Sequence, residues 1–302
     1  MLHIDDVNKR LQDFPEPKEV AEIRENIKNS FRRLEFQEGP HKYYIHEDDG
    51  TVDELPSVSG ICHQFEPYAD WDTIKENYAI KHDMTVEEVT RAWKETNLRG
   101  TNQGSRVHEV GESFMYFVQG HPENILDRVK PQYEDGFLVP YAIKEEAVVK
   151  YWQDIYDVFY DDGKPVKLYP VMPEAQVYIF KDNPWGIKQR YAGTFDILHA
   201  FQARDGKWKL ILHDYKSNGS LINSYSRSKK KMMLPPFEEF VDEALSHYTI
   251  QLSAYSVALM QLGYEIVDRK LIWLKDDGEY EKIQVPDVTD RLIDVLSKEK
   301  EQ

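Results

Sequence analysis

Cysteine is almost absent, with Cys62 standing alone among 302 residues. One thiol closes no internal disulfide and supplies neither a four-cysteine zinc site nor a four-cysteine iron–sulfur cluster, and its isolation suits a reducing compartment. Long apolar runs are missing too. Nothing approaches the roughly 20 residues that a membrane-spanning helix requires, and the opening MLHIDDVNKRLQDF carries charges where a secretory signal would be apolar. The expectation is a cytoplasmic protein with no membrane partner. Positive charge is in the minority: 38 Lys and Arg stand against 54 Asp and Glu, a net charge of −16. That argues against a surface that coats nucleic acid throughout, while leaving room for a local basic groove. Internal repeats and low-complexity segments are absent.

What is present is a globular composition. A hydrophobic share of 41% with 13 Phe, 6 Trp and 19 Tyr is enough to build a core, in one large domain or two ordinary ones. The periodicity predicts a charged amphipathic helix over 17–34, then a hairpin in HKYYIHEDDGTVDEL turning at Asp49-Gly50. Helices follow over 68–83, 85–97, 101–119 and 141–160, with Thr85 to Glu88 reading as a capping box. The period then changes to that of strands at 167–180, 191–202 and 208–216. A long helix over 237–262, a strand pair at 267–275 and 279–285 joined by Asp276-Asp277-Gly278, and a helix over 287–299 complete the chain. The stretch 217–236 reads as the flexible connection. The predicted class is α/β, a central mixed sheet made of an antiparallel meander plus a further strand, flanked by helices. A helical and hairpin region, 1–98, precedes a core of 99–302.

The segment LILHDYKSNGS ends a buried-looking strand on two opposite charges. Side chains alternate along a strand, so Asp214 and Lys216 point one way and Tyr215 the other. The preceding strand, YAGTFDILHAF, carries Asp196. A two-residue loop of Asp205-Gly206 sets Asp196 opposite Tyr215 and separates the two acids. A three-residue loop, Arg204-Asp205-Gly206, sets Asp196 opposite Asp214, Leu198 opposite Leu212, Ala200 opposite Leu210 and, on the reverse face, Phe195 opposite Tyr215, with Gly206 free to take the left-handed conformation. Both faces are then largely apolar, as for central strands covered by helices. Two opposed carboxylates need a cation or a raised pKa. A hard divalent ion, Mg2+ or Mn2+, fits oxygen ligands better than zinc does, and such an ion acidifies water and neutralises phosphate charge.

Other candidates sit upstream and downstream. RGTNQGSRVHEVGESF places His108 and Glu112 on one helical face, with Gly100, Gly104 and Gly111 permitting close backbone approach. Glu174 lies at the start of the first meander strand and offers a third acid. Gln251 and Tyr255 share a face of the long helix. Cys62-His63 has no partner cysteines and reads as structural. Arg227, Lys229, Lys230 and Lys231 form the densest basic run, beside Tyr225.

Taken in order, these pieces resemble the RecB-like branch of the PD-(D/E)XK nuclease superfamily, which includes phage exonucleases and the mitochondrial genome maintenance exonuclease. Gly104, His108 and Glu112 match a Gly-x3-His-x3-Glu element, Gly193 to Asp196 a Gly-x-x-Asp element, Asp214-Tyr215-Lys216 with Ser217 the Asp-x-Lys element, and Gln251 with Tyr255 a Gln-x3-Tyr element, over residues 100 to 275. The resemblance implies a restriction-endonuclease-like core. It implies that Asp196, Asp214, His108 and the Tyr215 carbonyl hold Mg2+ or Mn2+, that Lys216 positions the attacking water, and that Glu174 is the acid of the first core strand. Gln251 and Tyr255 would buttress the site or touch the nucleic-acid backbone, with Glu112 and Ser217 beside them. The basic run and Tyr225 would contact phosphate and base. The expected activity is metal-dependent DNA exonuclease action in recombination, repair or replication, in a host cytoplasm if the chain is phage-encoded. The expected partners are DNA, single-stranded or with a free end, and other recombination or replication proteins; no iron–sulfur cluster is expected. Alternatives are a non-catalytic nucleic-acid or protein-binding module on the same fold, and a structure-specific endonuclease active only in a larger complex. Residues 1–98 match no motif, and helices within them are candidates for an arch or lid.

Overall fold

A computed structural model describes residues 16–119, 133–134, 137–138, 141–154, 159–161 and 163–298. The chain opens with helix α1 (Lys18–Ser30), which buries Val20, Ile23 and Ile27 along one stripe. Strands β1 (Leu34–Gln37), β2 (Lys42–His46) and β3 (Val52–Leu55) make an antiparallel three-stranded sheet, β2 and β3 joined through Gly50 at φ +84°. The predicted first helix ends sooner than expected because Leu34 to Gln37 pair with β2 as a strand. Short helix α2 (Val58–His63), α3 (Trp71–His82) and the long α4 (Val86–Val118) follow.

Helix α4 begins at a reciprocal capping box: Glu88 N–H donates to Thr85 Oγ1 at 3.1 Å and Thr85 N–H to Glu88 Oε2 at 2.8 Å. It runs unbroken through Gly100, Gly104 and the 98/99 position, where the sequence separates two helices and two regions. Glycine in a helix interior costs only about 1 kcal/mol against alanine, and packing of the helix's C-terminal half offsets it. After two short strand pairs, β4 (Tyr133–Glu134) with β5 (Phe137–Leu138) and, beyond α5 (Tyr141–Asp154), β6 (Phe159–Asp161) with β7 (Lys164–Val166), the main sheet begins. The expected helix over 141–160 is seen to Asp154; residues 155–158 lie outside the described residues, and 159–160 are not helical as expected but pair with β7 as part of β6.

The main sheet contains β8 (Tyr169–Tyr178), β9 (Ala192–Gln202) and β10 (Trp208–Lys216), then, after α6 (Ser224–Lys229) and α7 (Ala244–Met260), β11 (Ile266–Leu274) and β12 (Tyr280–Gln284); α8 (Thr289–Ser297) comes last. Its order is β12-β11-β10-β9-β8, with β10 and β11 parallel and every other pair antiparallel. The fold is α/β, with a mixed five-stranded sheet and a separate three-stranded one, both flanked by helices. Helix α7 starts at Ala244, seven residues later than expected, because Phe237 to Glu243 return along the preceding segment through the Met232–Val241 bridge. Among the described residues no helix is long and apolar enough to cross a membrane.

The sheet is covered on both faces. Helix α7 packs Ile250, Ala254, Tyr255 and Ala258 into a core shared with Phe195, Leu198 and Leu212. Val107 and Val110 of α4 and Ala147, Val148, Tyr151 and Trp152 of α5 pack on the other face against Ile197, Tyr215 and Ile272. That second face is less apolar than expected. His199 and His213 are buried in it, and the Tyr151 hydroxyl lies 3.0 Å from His199 Nε2 and 2.7 Å from His213 Nδ1. Burial pushes His199 down to about 3 and holds His213 well below its ordinary value, so both are neutral.

Candidate metal centre

The β9–β10 hairpin decides which residues meet. Leu210 pairs with Ala200, Leu212 with Leu198 and His213 with Ile197, the register of a three-residue loop. Gly206 takes φ +80° and donates its N–H to the Ala203 carbonyl at 2.9 Å, while Ala203 N–H donates to Lys207. The ladder stops at His213 and Ile197. Two expected pairs are therefore not made, Asp196 with Asp214 and Phe195 with Tyr215: Phe195 packs edge-on to Tyr255 of α7, 6.2 Å between centroids, whereas Tyr215 turns to α5, where Trp152 Nε1 donates to its hydroxyl at 2.7 Å. In place of the next ladder bond, Tyr215 N–H donates 2.6 Å to Asp196 Oδ2. A side-chain carboxylate thus closes the hairpin where the backbones part.

Asp196, Asp214 and Lys216 line one cleft of about 710 Å³ between the sheet end, α4 and α7, together with Gln251 and Tyr255. His108 and Glu112 enter it from α4 and Glu174 from β8. His108 Nδ1 lies 3.0 Å from Asp196 Oδ1 and 3.3 Å from Glu174 Oε1. One ligand atom from each of these three residues lies within 4.8 Å of the other two. Glu174 sits in the middle of β8 rather than at its start, and reaches this point from a left-handed backbone, φ +42°, unpaired between the Pro173–Ile197 and Ala175–Phe195 pairs, so it departs from plain strand alternation. Of the three glycines on α4, only Gly111 is required by packing: a Cβ there would collide with the Tyr215 ring, whereas Gly100 meets open space and Gly104 ordinary contact distance. Gly193 serves in the same way beneath Tyr255.

The electrostatics are those of crowded acids around a shared cation position. Burial pushes Glu174 up to about 7, the Asp196 charge adding to it and His108 opposing it. Burial pushes Asp214 up to about 6, again reinforced by Asp196 and opposed by Lys216. Burial would lower the His108 pKa, yet Asp196 and Glu174 outweigh it and hold the imidazole well above its ordinary value. Burial likewise raises Asp196, but His108 above all, then Lys216 and the Tyr215 N–H, bring it below the usual carboxylate range. A protonated Nδ1 between two carboxylates occupies the place of a cation.

Asp214 faces Lys216 as an ion pair through its buried Oδ2. One imidazole nitrogen, two carboxylates within reach of it and a third carboxylate in the same cleft are a donor set that fits Mn2+ or Mg2+. Lys216 is only 11% exposed. Burial lowers its pKa, but Asp214 and Asp196 more than restore it, so it stays charged. Its Nζ sits 4.4 Å from the centroid of the Tyr248 ring, and the Tyr248 hydroxyl donates 2.7 Å to Asn218 Oδ1. Sequence reasoning missed Tyr248, although it lies three residues before Gln251 and so on the same face of α7. Gln251 Nε2 donates to the Tyr255 hydroxyl at 3.0 Å.

Other expected residues lie apart from the cleft lining. Arg227 is held by Glu243, with Nε to Oε2 at 2.9 Å and Nη2 to Oε1 at 2.7 Å, which leaves its guanidinium committed to the fold. Lys229 and Lys230 are exposed, and Lys231 Nζ stacks 5.3 Å over the Tyr225 ring. None of this run lines the cleft. Ser217 follows Lys216 directly; its carbonyl accepts from the buried Lys144 of α5. Cys62 is buried against the His247 carbonyl, and burial pushes its thiol up to about 12. It is a core residue, as expected.

No protein-family model matches the chain, and no curated protein matches it.

Proposed function

We propose that the protein is a divalent-metal-dependent deoxyribonuclease built on a restriction-endonuclease-like core. The observation that carries this reading is the placing of His108, Glu174 and Asp196 around one point, with Asp214 and the buried ammonium of Lys216 in the same cleft. His108, Asp196 and Asp214 would hold the ion, with Glu174 at their side. A bound Mg2+ or Mn2+ would supply acidification of a water and neutralisation of phosphate charge.

The chain's own contribution is positional and electrostatic. Lys216 is fixed between the Asp214 carboxylate and the Tyr248 ring, so its charge is already oriented when a phosphate arrives. There it neutralises charge building on the phosphoryl oxygens as water attacks phosphorus and the bridging P–O bond breaks. Gln251 and Tyr255, hydrogen-bonded to each other on a buried helix, form a rigid wall of the cleft. The resemblance to RecB-like nucleases favours an exonuclease. The test is digestion of end-labelled linear and of circular DNA, single- and double-stranded, with Mg2+, with Mn2+ and with a chelator. Metal-dependent loss of linear DNA from its ends is expected; intact substrate in every metal would remove the reading.

A further inference from the structure

The candidate centre is itself strongly acidic, and the basic run at 227–231 does not line it. A polynucleotide therefore needs its cations elsewhere. Helix α4 shows where the cleft leads. Its residues His108 and Glu112 line the metal cleft, and one and two turns further on Tyr116 and Gln119 line a second groove of about 310 Å³. Glu174 and Gln176 of β8 belong to both. The two spaces are thus contiguous along α4 and meet at the acid cluster.

The charge balance of this groove is opposite to that of the cleft. Among the described residues Glu174 is the only acid lining it, and Arg24, Lys28 and Arg32 recur every four residues along and just beyond α1. Arg24 is already committed to Glu16 and to the Val171 carbonyl. Lys28 has only a 3.7 Å exposed pairing with Glu25, which is worth little in water. Arg32 is exposed and has no ion-pair partner among the described residues. Between these cations and β8 the wall is apolar, formed by Phe31, Leu34, Met172 and Ala175. An apolar wall under a two-cation rim, in a volume at the low end of the roughly 300–1,000 Å³ of small-ligand sites, suits a single nucleotide unit.

We propose that this side groove is a nucleotide subsite. It takes one nucleotide of the strand that flanks the reacting phosphate, base and sugar against the Phe31, Leu34 and Met172 wall, and backbone phosphate between Lys28 and Arg32. The inference rests on the reading of the cleft as a nucleic-acid site, and it gives part of the region before residue 99 a role in substrate binding. A strand held here runs from α1 past Glu174 into the centre.

The experiment measures binding of fluorescein-labelled oligothymidylate to the full chain in EDTA across a salt series, and of thymidine monophosphate by calorimetry. Wild type is compared with Lys28→Ala/Arg32→Ala and with Lys18→Ala, which removes an exposed charge at the far end of α1. Two phosphate contacts to a single strand give a salt slope near 1.4, so the double variant should lose about that much slope and bind about 25-fold more weakly at 0.1 M salt. Lys18→Ala should bind as wild type does. Cleavage is read in parallel: the double variant should raise KM and leave kcat within about twofold. An unchanged slope and KM in a cleaving enzyme would overturn the subsite and leave the nuclease reading standing. Slope loss in a protein that never cleaves would keep the subsite and remove the hydrolysis. If wild type binds neither oligothymidylate nor the mononucleotide, the subsite is wrong, as it is if Lys18→Ala weakens binding as much as the double variant. Thymidine monophosphate binding lost in the double variant is expected if the groove takes a nucleotide unit by itself; oligothymidylate binding alone, lost in the same variant, assigns it to strand phosphates only. Circular dichroism melts confirm that the exposed substitutions leave the fold intact.

Discussion

Adding Mn2+ to the metal-free protein should release protons, and the number follows from the cluster. At about pH 6, Glu174, pushed up to about 7, is mostly protonated, Asp214, pushed up to about 6, is half protonated, and His108 carries its proton. Ligands bind metal deprotonated, so between about two and three protons should leave per ion at pH 6, falling to about one or fewer at pH 8. The logarithm of the affinity should then rise with pH at a slope of about two near pH 6 that eases to about one or less near pH 8. The same shifts set the stability of the metal-free chain. Asp214, raised from 3.8, and Glu174, raised from 4.5, favour the folded state when neutral, so their support is present at low pH and is lost as pH rises through about 4 to 7. His108, raised above 6.5, adds in the same direction, and Asp196, lowered below 3.8, acts only in stronger acid. Each raised carboxylate is worth at most about 3 kcal/mol, or roughly 5 °C in Tm for a chain of this length. Calorimetry in buffers of different ionisation enthalpy, with melts at each pH with and without Mn2+, reads both effects. An Mn2+ affinity that does not change between pH 5.5 and 8 would refute the reasoning.

Three substitutions test the supporting structure. Tyr248→Leu removes the ring under Lys216 and should lower kcat by about 3- to 30-fold, the range of a cation–π contact of about 0.5–2 kcal/mol, while Tyr248→Phe keeps the ring and most of the rate; equal losses in both, measured at saturating DNA, would deny the ring this role. Gly111→Ala should destabilise by about 1–3 kcal/mol, read in a denaturant melt, because its methyl group meets the Tyr215 ring. Arg227→Ala should cost a similar 1–3 kcal/mol by leaving the buried Glu243 without its counter-ion, with the Asn223 N–H still donating to it; stability at the wild-type level combined with weaker DNA binding would make Arg227 a phosphate contact after all.

How much of this was legible in the sequence depends on how local each cause is. The β9–β10 register as far as Ile197 and His213 was readable because one loop, with Gly206 able to go left-handed, fixes it within a few residues. The Thr85 capping box and the Asp276-Asp277-Gly278 hairpin were readable for the same reason. The failed pairings of Asp196 with Asp214 and of Phe195 with Tyr215 have a distant cause: the backbones part where Asp196 captures the Tyr215 N–H and α5 draws Tyr215 away. The backbone reversal at Glu174, the clamp on Arg227 from Glu243 and the cation–π contact from Tyr248 likewise depend on elements that meet only in the folded chain. Helix α4 was read as two, 85–97 and 101–119, while its continuity is set by packing.

The measurement that bears most directly on the central claim is single-turnover cleavage of end-labelled DNA by Lys216→Ala and wild type, each at Mn2+ saturation established by calorimetry. The account predicts that the variant keeps its fold and binds Mn2+ yet cuts at least about a hundredfold more slowly, as expected on removal of one oriented charge from a developing phosphoryl centre. Cleavage by the Mn2+-loaded variant at the wild-type rate would contradict it.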